Sequence, residues 1–250
     1  MKLREPFQIV GGQIAIDLPG ACAVFTTRRG GCSTGPYASL NLGRRSGDDP
    51  ELVERNRAAL EEQFAVALVY GRQVHGSHVR RLIRAQPGDA EPGDAEPVEA
   101  DGQATTLAGI APMVLTADCL PIALAGDGAV AMVHAGWRGL AGGVIAEGVG
   151  AVRELSGDGR LTAAIGPGAG PCCYEVGEEV HRSFSSYGPL ARRGRNLDLK
   201  AIARHQLERA GVTEIHDVQL CTICSEKSLF YSHRRDHGIT GRQAGFAWLA

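Results

Sequence analysis

The chain has 250 residues, 44 % hydrophobic and 22 % charged, an ordinary globular composition that excludes a disordered, collagenous or coiled-coil protein. Size scaling gives about 38,000 Å² of accessible surface unfolded against about 10,600 Å² folded, enough burial for one large core. The formal charge of −2, from 26 Lys+Arg against 28 Asp+Glu, leaves no general basic field for nucleic acid or an anionic membrane, so a bound phosphate must be held locally.

The first residues, Met1 to Pro6, carry Glu5 and a proline where a secretory signal needs an apolar stretch, and no run of 18 apolar residues follows, so the expected location is cytoplasmic. Seven cysteines, Cys22, Cys32, Cys119, Cys172, Cys173, Cys221 and Cys224, are an odd set that does not suggest a disulfide framework; reduced thiols and a metal fit better. Nothing in the composition divides two cores, so residues 1–250 are read as a single domain.

Short β-rich runs are expected at 23–27, 113–116, 122–125, 130–134, 162–165 and 218–222. Asp49-Pro50 is an N-cap signal followed by proline at the first helical position, and Val53, Leu60, Phe64 and Ala67 predict a helix over 50–67. Two more helices are expected over 140–155 and 199–209. Residues 86–99 hold a duplicated acidic Pro-Gly pentapeptide, which cannot sustain helix or strand and reads as a solvated surface loop. Strands outnumber helices and do not alternate with them, so the predicted fold class is α+β, with central mixed β-sheets flanked by helices.

Asp127-Gly128 lies between two apolar runs, a strong hairpin signal. With a two-residue turn, Gly126 faces Ala129, His134 falls opposite Pro121, and Cys119 falls opposite Gly136. Alternation then puts the Cys119 sulfur and the His134 imidazole on one face, about 7–8 Å apart at Cα, which suits a shared metal. A third ligand must come from elsewhere, and His75, in a short apolar-flanked segment followed by glycine, is the best candidate. The Ala135-Gly136-Trp137-Arg138-Gly139 segment that follows leads into a helix and could hold an anion through backbone N–H groups and the Arg138 guanidinium.

Two further cysteine-bearing segments compete. Cys221-Thr-Ile-Cys224 with His233 and His237 has the outline of a zinc module, although the middle gap is short for one. The glycine-rich run from Ile165 to Val176 lacks the order of a dinucleotide or phosphate loop but could shape a pocket wall, with Tyr174 stacking on a ring. Cys172 and Cys173 are adjacent, and since neighbours in a strand point to opposite faces, neither a common metal nor a disulfide is expected of them.

The motif series Phe25-Thr-Thr-Arg-Arg-Gly-Gly-Cys-Ser33, Asn41-Leu-Gly43, Gly47-Asp-Asp49, Gln73-Val-His75, Thr116-Ala-Asp-Cys119, His134-Ala-Gly-Trp-Arg-Gly139, Cys173-Tyr-Glu-Val176, Cys221-Thr222, Arg234-Arg235 and Gly241-Arg242 closely resembles the YfiH/YlmD family. That family is variously described as multicopper polyphenol oxidase (laccase-like), peptidoglycan editing factor and purine nucleoside phosphorylase. The resemblance covers nearly the whole chain and departs from the family at the acidic Pro-Gly insertion and at His233, where tyrosine is expected. It implies a metal, zinc with copper as the other option, held at positions matching His75, Cys119 and His134, which would be the catalytic centre.

The function so implied is phosphorolysis of adenosine, inosine or methylthioadenosine, with adenosine deamination. Arg138, and more weakly Arg28, would hold phosphate; Asn41, Tyr174 and Arg234 complete the expected substrate-binding set. The partners are then a purine nucleoside and phosphate. Multicopper oxidase chemistry is disfavoured, because a trinuclear cluster needs many paired imidazoles and the chain has eight histidines and no His-x-His. A Cys119/His134 thiol hydrolase acting on peptidoglycan precursors, and a metal-carrying binding protein without catalysis, are the alternatives.

Overall fold

The computed structural model describes residues 3–83 and 98–250. The acidic Pro-Gly loop expected over 86–99 therefore lies, except for Val98 and Glu99, outside the described residues, as do Met1 and Lys2.

The chain opens with strands β1 (Gln8–Val10), β2 (Gln13–Leu18) and β3 (Ala21–Phe25), followed by helix α1 (Pro50–Phe64). Strands β4 (Ala67–Val69), β5 (Val79–Leu82), β6 (Gly102–Thr105), β7 (Ile110–Thr116), β8 (Leu120–Gly126) and β9 (Ala129–Ala135) come next. Helices α2 (Trp137–Ala141) and α3 (Val144–Ser156) lead to β10 (Thr162–Ile165), α4 (Glu178–Ser183) and the short pair β11 (Arg192–Arg193) and β12 (Asn196–Leu197). Helix α5 (Leu199–Arg209), β13 (Glu214–Asp217) and β14 (Gln243–Leu249) close the series.

Two six-stranded mixed sheets carry the fold, in the orders β1-β2-β3-β14-β7-β4 and β13-β10-β8-β9-β6-β5. Side-chain alternation sorts their residues into three apolar layers. Along β9, Ala129, Ala131 and Val133 pack toward α3 and α5, whereas Val130 and Met132 meet Phe25, Ile14 and Val114 from the other sheet. The outer face of the first sheet buries Val24, Met113 and Phe246 against Leu60 of α1. The layers thus run helix, sheet, sheet, helix, an α+β architecture. Among the described residues no helix is long and apolar enough to cross a membrane.

The Asp127-Gly128 hairpin has the expected register, with Gly126 opposite Ala129, Pro121 opposite His134 and Leu120 opposite Ala135. Three other expectations shift for local reasons. The first helix ends at Phe64 because Ala65 takes a left-handed conformation (φ 53°), and Ala67–Val69 instead pairs in parallel with β7. The helix expected over 140–155 begins earlier, at Trp137, and is broken at Gly142-Gly143, where Gly143 adopts φ 86°. The strand expected over 218–222 lies earlier, at β13: the Asp217 carboxylate accepts the Gln219 N–H (2.7 Å) and Gln219 turns to φ 57°, which ends the strand.

Candidate metal centre and its surroundings

Because β8 sends Leu120, Ile122 and Leu124 toward the helices, the opposite parity faces the seam between the sheets. Cys119 stands just before β8 and His134 near the end of β9, both on that inter-sheet parity. His75 comes from the loop before β5, which Gln73 fastens to β7 by exchanging two hydrogen bonds with the Leu115 backbone (2.7 and 2.8 Å). The ligand atoms of His75, Cys119 and His134 all lie within 4.8 Å of one another. The two imidazole rings meet edge to face, with centroids 4.9 Å apart.

Asp101, wholly buried at the start of β6, organises this cluster. Its carboxylate accepts the backbone N–H groups of Val74 (3.1 Å), His75 (3.0 Å) and Gly76 (2.7 Å), and it lies 2.7 Å from His134 Nδ1. That contact fixes the ring and leaves Nε2 for the cluster. Burial alone would raise the Asp101 pKa, but His134 and the amides hold it below the usual carboxylate range. The same competition governs the pair beside it. Burial opposes ionisation of both groups, yet the mutual attraction of thiolate and imidazolium brings Cys119 down to about 6 and, with Asp101, His134 up to about 9.

Close packing is part of the design. A Cβ on Gly136 would lie 2.8 Å from Cys119 Sγ and 3.4 Å from His75 Cδ2, so only glycine admits the sulfur there. His75 and Asp118 both hold positive φ (61° and 91°), uncommon for residues with side chains and characteristic of functional turns. Asp118 is anchored by Thr222 Oγ1 (2.6 Å) and by the Arg234 N–H (2.8 Å). The glycine-rich run forms the wall behind it: the Ala169 N–H donates to the Asp118 carbonyl (2.7 Å), and Gly168 packs where a Cβ would strike Leu120.

The expected substrate residues separate into two groups. Arg138 is exposed on the single turn of α2, its guanidinium stacked 4.4 Å from the centre of the Trp137 ring and without a hydrogen bond to the described residues. Tyr174 lies at the same rim, with the Arg234 guanidinium 5.3 Å from the centre of its ring. Burial, with Cys119 and Asp118 nearby, pushes the Tyr174 phenol up to about 12 against the pull of Arg234 and Arg138.

Arg28 and Asn41 instead turn into the fold. Arg28 donates to the carbonyls of Ala38 (2.6 Å), Lys227 (3.1 Å) and Pro36 (3.4 Å) and stacks on Tyr231. Asn41 is fully buried; it donates to Ser46 and Asp48 and accepts the N–H groups of Gly43 and Arg242, so its polar atoms are engaged within the protein. Sequence reasoning missed Asp101, which no motif marks, and gave no role to Arg242, whose buried guanidinium feels the charges of Asp118 and Cys119.

The cysteine readings also change. Cys172 and Cys173 do not diverge as strand neighbours would: the N–H groups of Cys173 and Tyr174 both donate to Gly170 O (3.0 Å each), forming a turn that gathers both sulfurs. They join Cys221 and Cys224, all four sulfurs lying within 4.8 Å of one another, whereas His233 and His237 stand outside the group. The zinc-module outline is thus not assembled as spaced: Cys221 and Cys224 meet Cys172 and Cys173 rather than His233 and His237.

Residues 22–250 match the family model described as multi-copper polyphenol oxidoreductase laccase. The chain is 40 % identical over 246 residues to purine nucleoside phosphorylase YlmD of Geobacillus stearothermophilus, covering 91 % of this chain and 89 % of that one. It is 37 % identical to purine nucleoside phosphorylase YfiH of Escherichia coli, covering 92 % and 94 %. The crystal structure of the Geobacillus YlmD superposes with a TM-score of 0.87 over 97 % of this chain and 98 % of that one, at 39 % identity. That of a Bacillus licheniformis hypothetical protein YfiH gives 0.86 over 99 % and 100 %, at 31 % identity. With sequence and fold matched over nearly the full length, the chain belongs to the multi-copper polyphenol oxidoreductase laccase family that includes YlmD and YfiH.

Proposed function

We propose that the protein is a zinc-dependent purine nucleoside phosphorylase that converts adenosine, inosine or methylthioadenosine and phosphate to the free base and the corresponding ribose 1-phosphate, with adenosine deamination as a second activity. The observation that carries this reading is the convergence of His75, Cys119 and His134 beside a rim that presents Arg138, Tyr174 and Arg234. The names of the relatives support phosphorolysis.

Two imidazoles and a thiolate suit a single borderline-soft ion, zinc or else copper. Such an ion supplies Lewis acidity and a place for water or phosphate. The residues do not suit a multicopper oxidase, because His75 and His134 are the only histidines gathered into a ligand group among the described residues, which include all eight. Asp101 orients His134 and keeps its Nδ1 occupied, and Gly136 leaves room for the sulfur.

Arg138, whose guanidinium meets no acceptor among the described residues, holds the phosphate by charge-assisted hydrogen bonds. Phosphate oxygen bonds to C1′ as the glycosidic C1′–N bond breaks, and the base leaves with that electron pair and takes up a proton. Tyr174 and Arg234 provide a planar face for base or ribose. The seven free thiols fit a reducing, cytoplasmic setting.

A second reading, a thiol hydrolase, is favoured by the lowered Cys119 thiol beside His134. One experiment separates the two. Adenosine and inosine are incubated with and without phosphate, using wild type and Cys119→Ala, and free base, ribose 1-phosphate and inosine are quantified. Phosphate-dependent base release that disappears in the variant is expected. Base release independent of phosphate, or no release by zinc-loaded protein, refutes the proposal; amide cleavage retained without metal and abolished by thiol alkylation establishes the hydrolase.

A further inference from the structure

We propose that Cys172, Cys173, Cys221 and Cys224 form a second metal centre, an all-thiolate site for one zinc-class ion that fastens two turns together behind the rim of the first cluster. This inference does not depend on the phosphorolytic reading.

The sulfur separations bracket those of a tetrahedral ligand set. With Zn–S near 2.3 Å, the edge of a tetrahedron of sulfurs is about 3.8 Å. Cys172 and Cys224 lie 3.6 Å apart at Sγ, Cys172 and Cys173 3.5 Å, and all four sulfurs fall within 4.8 Å of one another. Small rotamer changes suffice to close them on one ion.

Backbone and spacing agree with this. Cys221 and Cys224 occupy a Cys-x2-Cys turn closed by the Ser225 N–H on the Cys221 carbonyl (3.1 Å), which brings both thiols to one side. The other pair sits on the turn begun by Gly170, whose own N–H donates to Cys221 Sγ (3.2 Å), the kind of amide contact that steadies a metal-bound thiolate. A Cβ on Gly170 would stand 3.3 Å from Cys172 Sγ and 3.5 Å from Cys221 Sγ, crowding the space between the turns. A parallel bridge between Gly168 and Cys221, with the Thr222 N–H on Gly168 O (3.0 Å), holds the two turns side by side. All four cysteines are free thiols, and one ion uses all of them.

Loading replaces the four thiol protons by one dication, leaving a closed dianionic centre with no place for substrate, and its role is therefore structural. Its position gives that role a target. The first turn leads directly into Tyr174, and the second carries Thr222, which hydrogen-bonds Asp118 beside Cys119. The ion would tie both walls of the neighbouring cluster to each other.

The test is metal stoichiometry in the full-length protein purified under reducing conditions with zinc and dialysed against metal-free buffer. Cys119→Ala, which leaves the four cysteines untouched, is expected to retain one zinc per chain, and cobalt exchanged into it is expected to show the intense absorption of a tetrathiolate. Four thiols should resist alkylation in this variant until a strong chelator is added. Combining Cys119→Ala with Cys172→Ser and Cys224→Ser should remove the ion; if the combined variant does not fold, the Cys119→Ala stoichiometry and alkylation decide alone. A Cys119→Ala protein that holds no zinc and alkylates freely overturns the proposal, as does one whose intact mass shows a disulfide within the four.

Discussion

The two ligand clusters of this molecule are built in opposite ways. His75, Cys119 and His134 sit where the central strands β8 and β9 meet the loop before β5, backed by a buried carboxylate that serves the His75 loop and the His134 ring at once. Their donor set is mixed, and its members range from buried His134 to exposed His75. The four cysteines instead hang from two turns joined by a single bridge and offer sulfur alone. A mixed, partly exposed set of three ligands leaves a coordination place for chemistry, whereas an all-sulfur set of four would close around an ion. The first cluster is positioned by strands and a buried carboxylate, the second by the backbone hydrogen bonds of two adjoining turns.

The difference is broken most severely by removing His134. Substitution by alanine is expected to lower base release by about 10³-fold or more, since losing several kcal/mol of metal-dependent stabilisation costs a decade per 1.36 kcal/mol. It also strips Asp101 of its partner, so stability should fall by up to about 3 kcal/mol, the three backbone N–H groups still serving the carboxylate. His75→Ala should match the activity loss without that stability loss, because His75 is exposed. Kinetics and denaturant melts on the two variants check this; equal stability losses would show that the Asp101 contact to His134 does not bear on the fold.

Next comes Gly136→Ala. Its Cβ would lie 2.8 Å from Cys119 Sγ and 3.4 Å from His75 Cδ2, so the sulfur must move. Overpacking of this kind costs about 1–3 kcal/mol. Zinc at the first cluster should be lost while the four-cysteine ion persists, giving one metal per chain by elemental analysis. Asp101→Asn keeps the volume but weakens the clasp, and should reduce zinc affinity at the first cluster by about 10–100-fold, read by competition with a chromophoric chelator.

The sequence makes the first cluster legible to different depths. Asp127-Gly128 fixes the hairpin register, and a period of two residues then forces Cys119 and His134 onto one face; that part needs only local chemistry. Asp101 is invisible because its partners lie more than two dozen residues away on either side and no spacing connects them. The four cysteines are hidden for the converse reason: strand alternation separates Cys172 and Cys173 on paper, whereas Gly170 makes a turn there, and the Cys-x2-Cys pair lies near histidines in sequence but near thiols about 50 residues earlier in space. Helix ends followed the same logic: Asp49-Pro50 marks the start of α1, whose side chain cap on the Glu51 N–H (2.9 Å) is local, but the left-handed Ala65 that ends it carries no glycine or proline signal.

The smallest expected effects distinguish two arginines that sequence reasoning treated as one kind. Arg138 stacks on Trp137 and its guanidinium meets no acceptor among the described residues, whereas Arg28 spends its donors on three carbonyls from two segments, Pro36 and Ala38 of one and Lys227 of the other. A charge-assisted hydrogen bond contributes about 1.5–3 kcal/mol, so Arg138→Gln should raise the KM for phosphate roughly tenfold or somewhat more, with little change in melting temperature. Arg28→Gln should do the reverse: stability falls by about 0.5–1.5 kcal/mol as the part-buried Ala38 carbonyl and the stacking on Tyr231 are lost, while the phosphate KM stays near wild type. A phosphate KM that responds to Arg28 and not to Arg138 would move the anion from the α2 turn to the Tyr231 side of the seam between the sheets, and with it the face on which the nucleoside must approach Cys119.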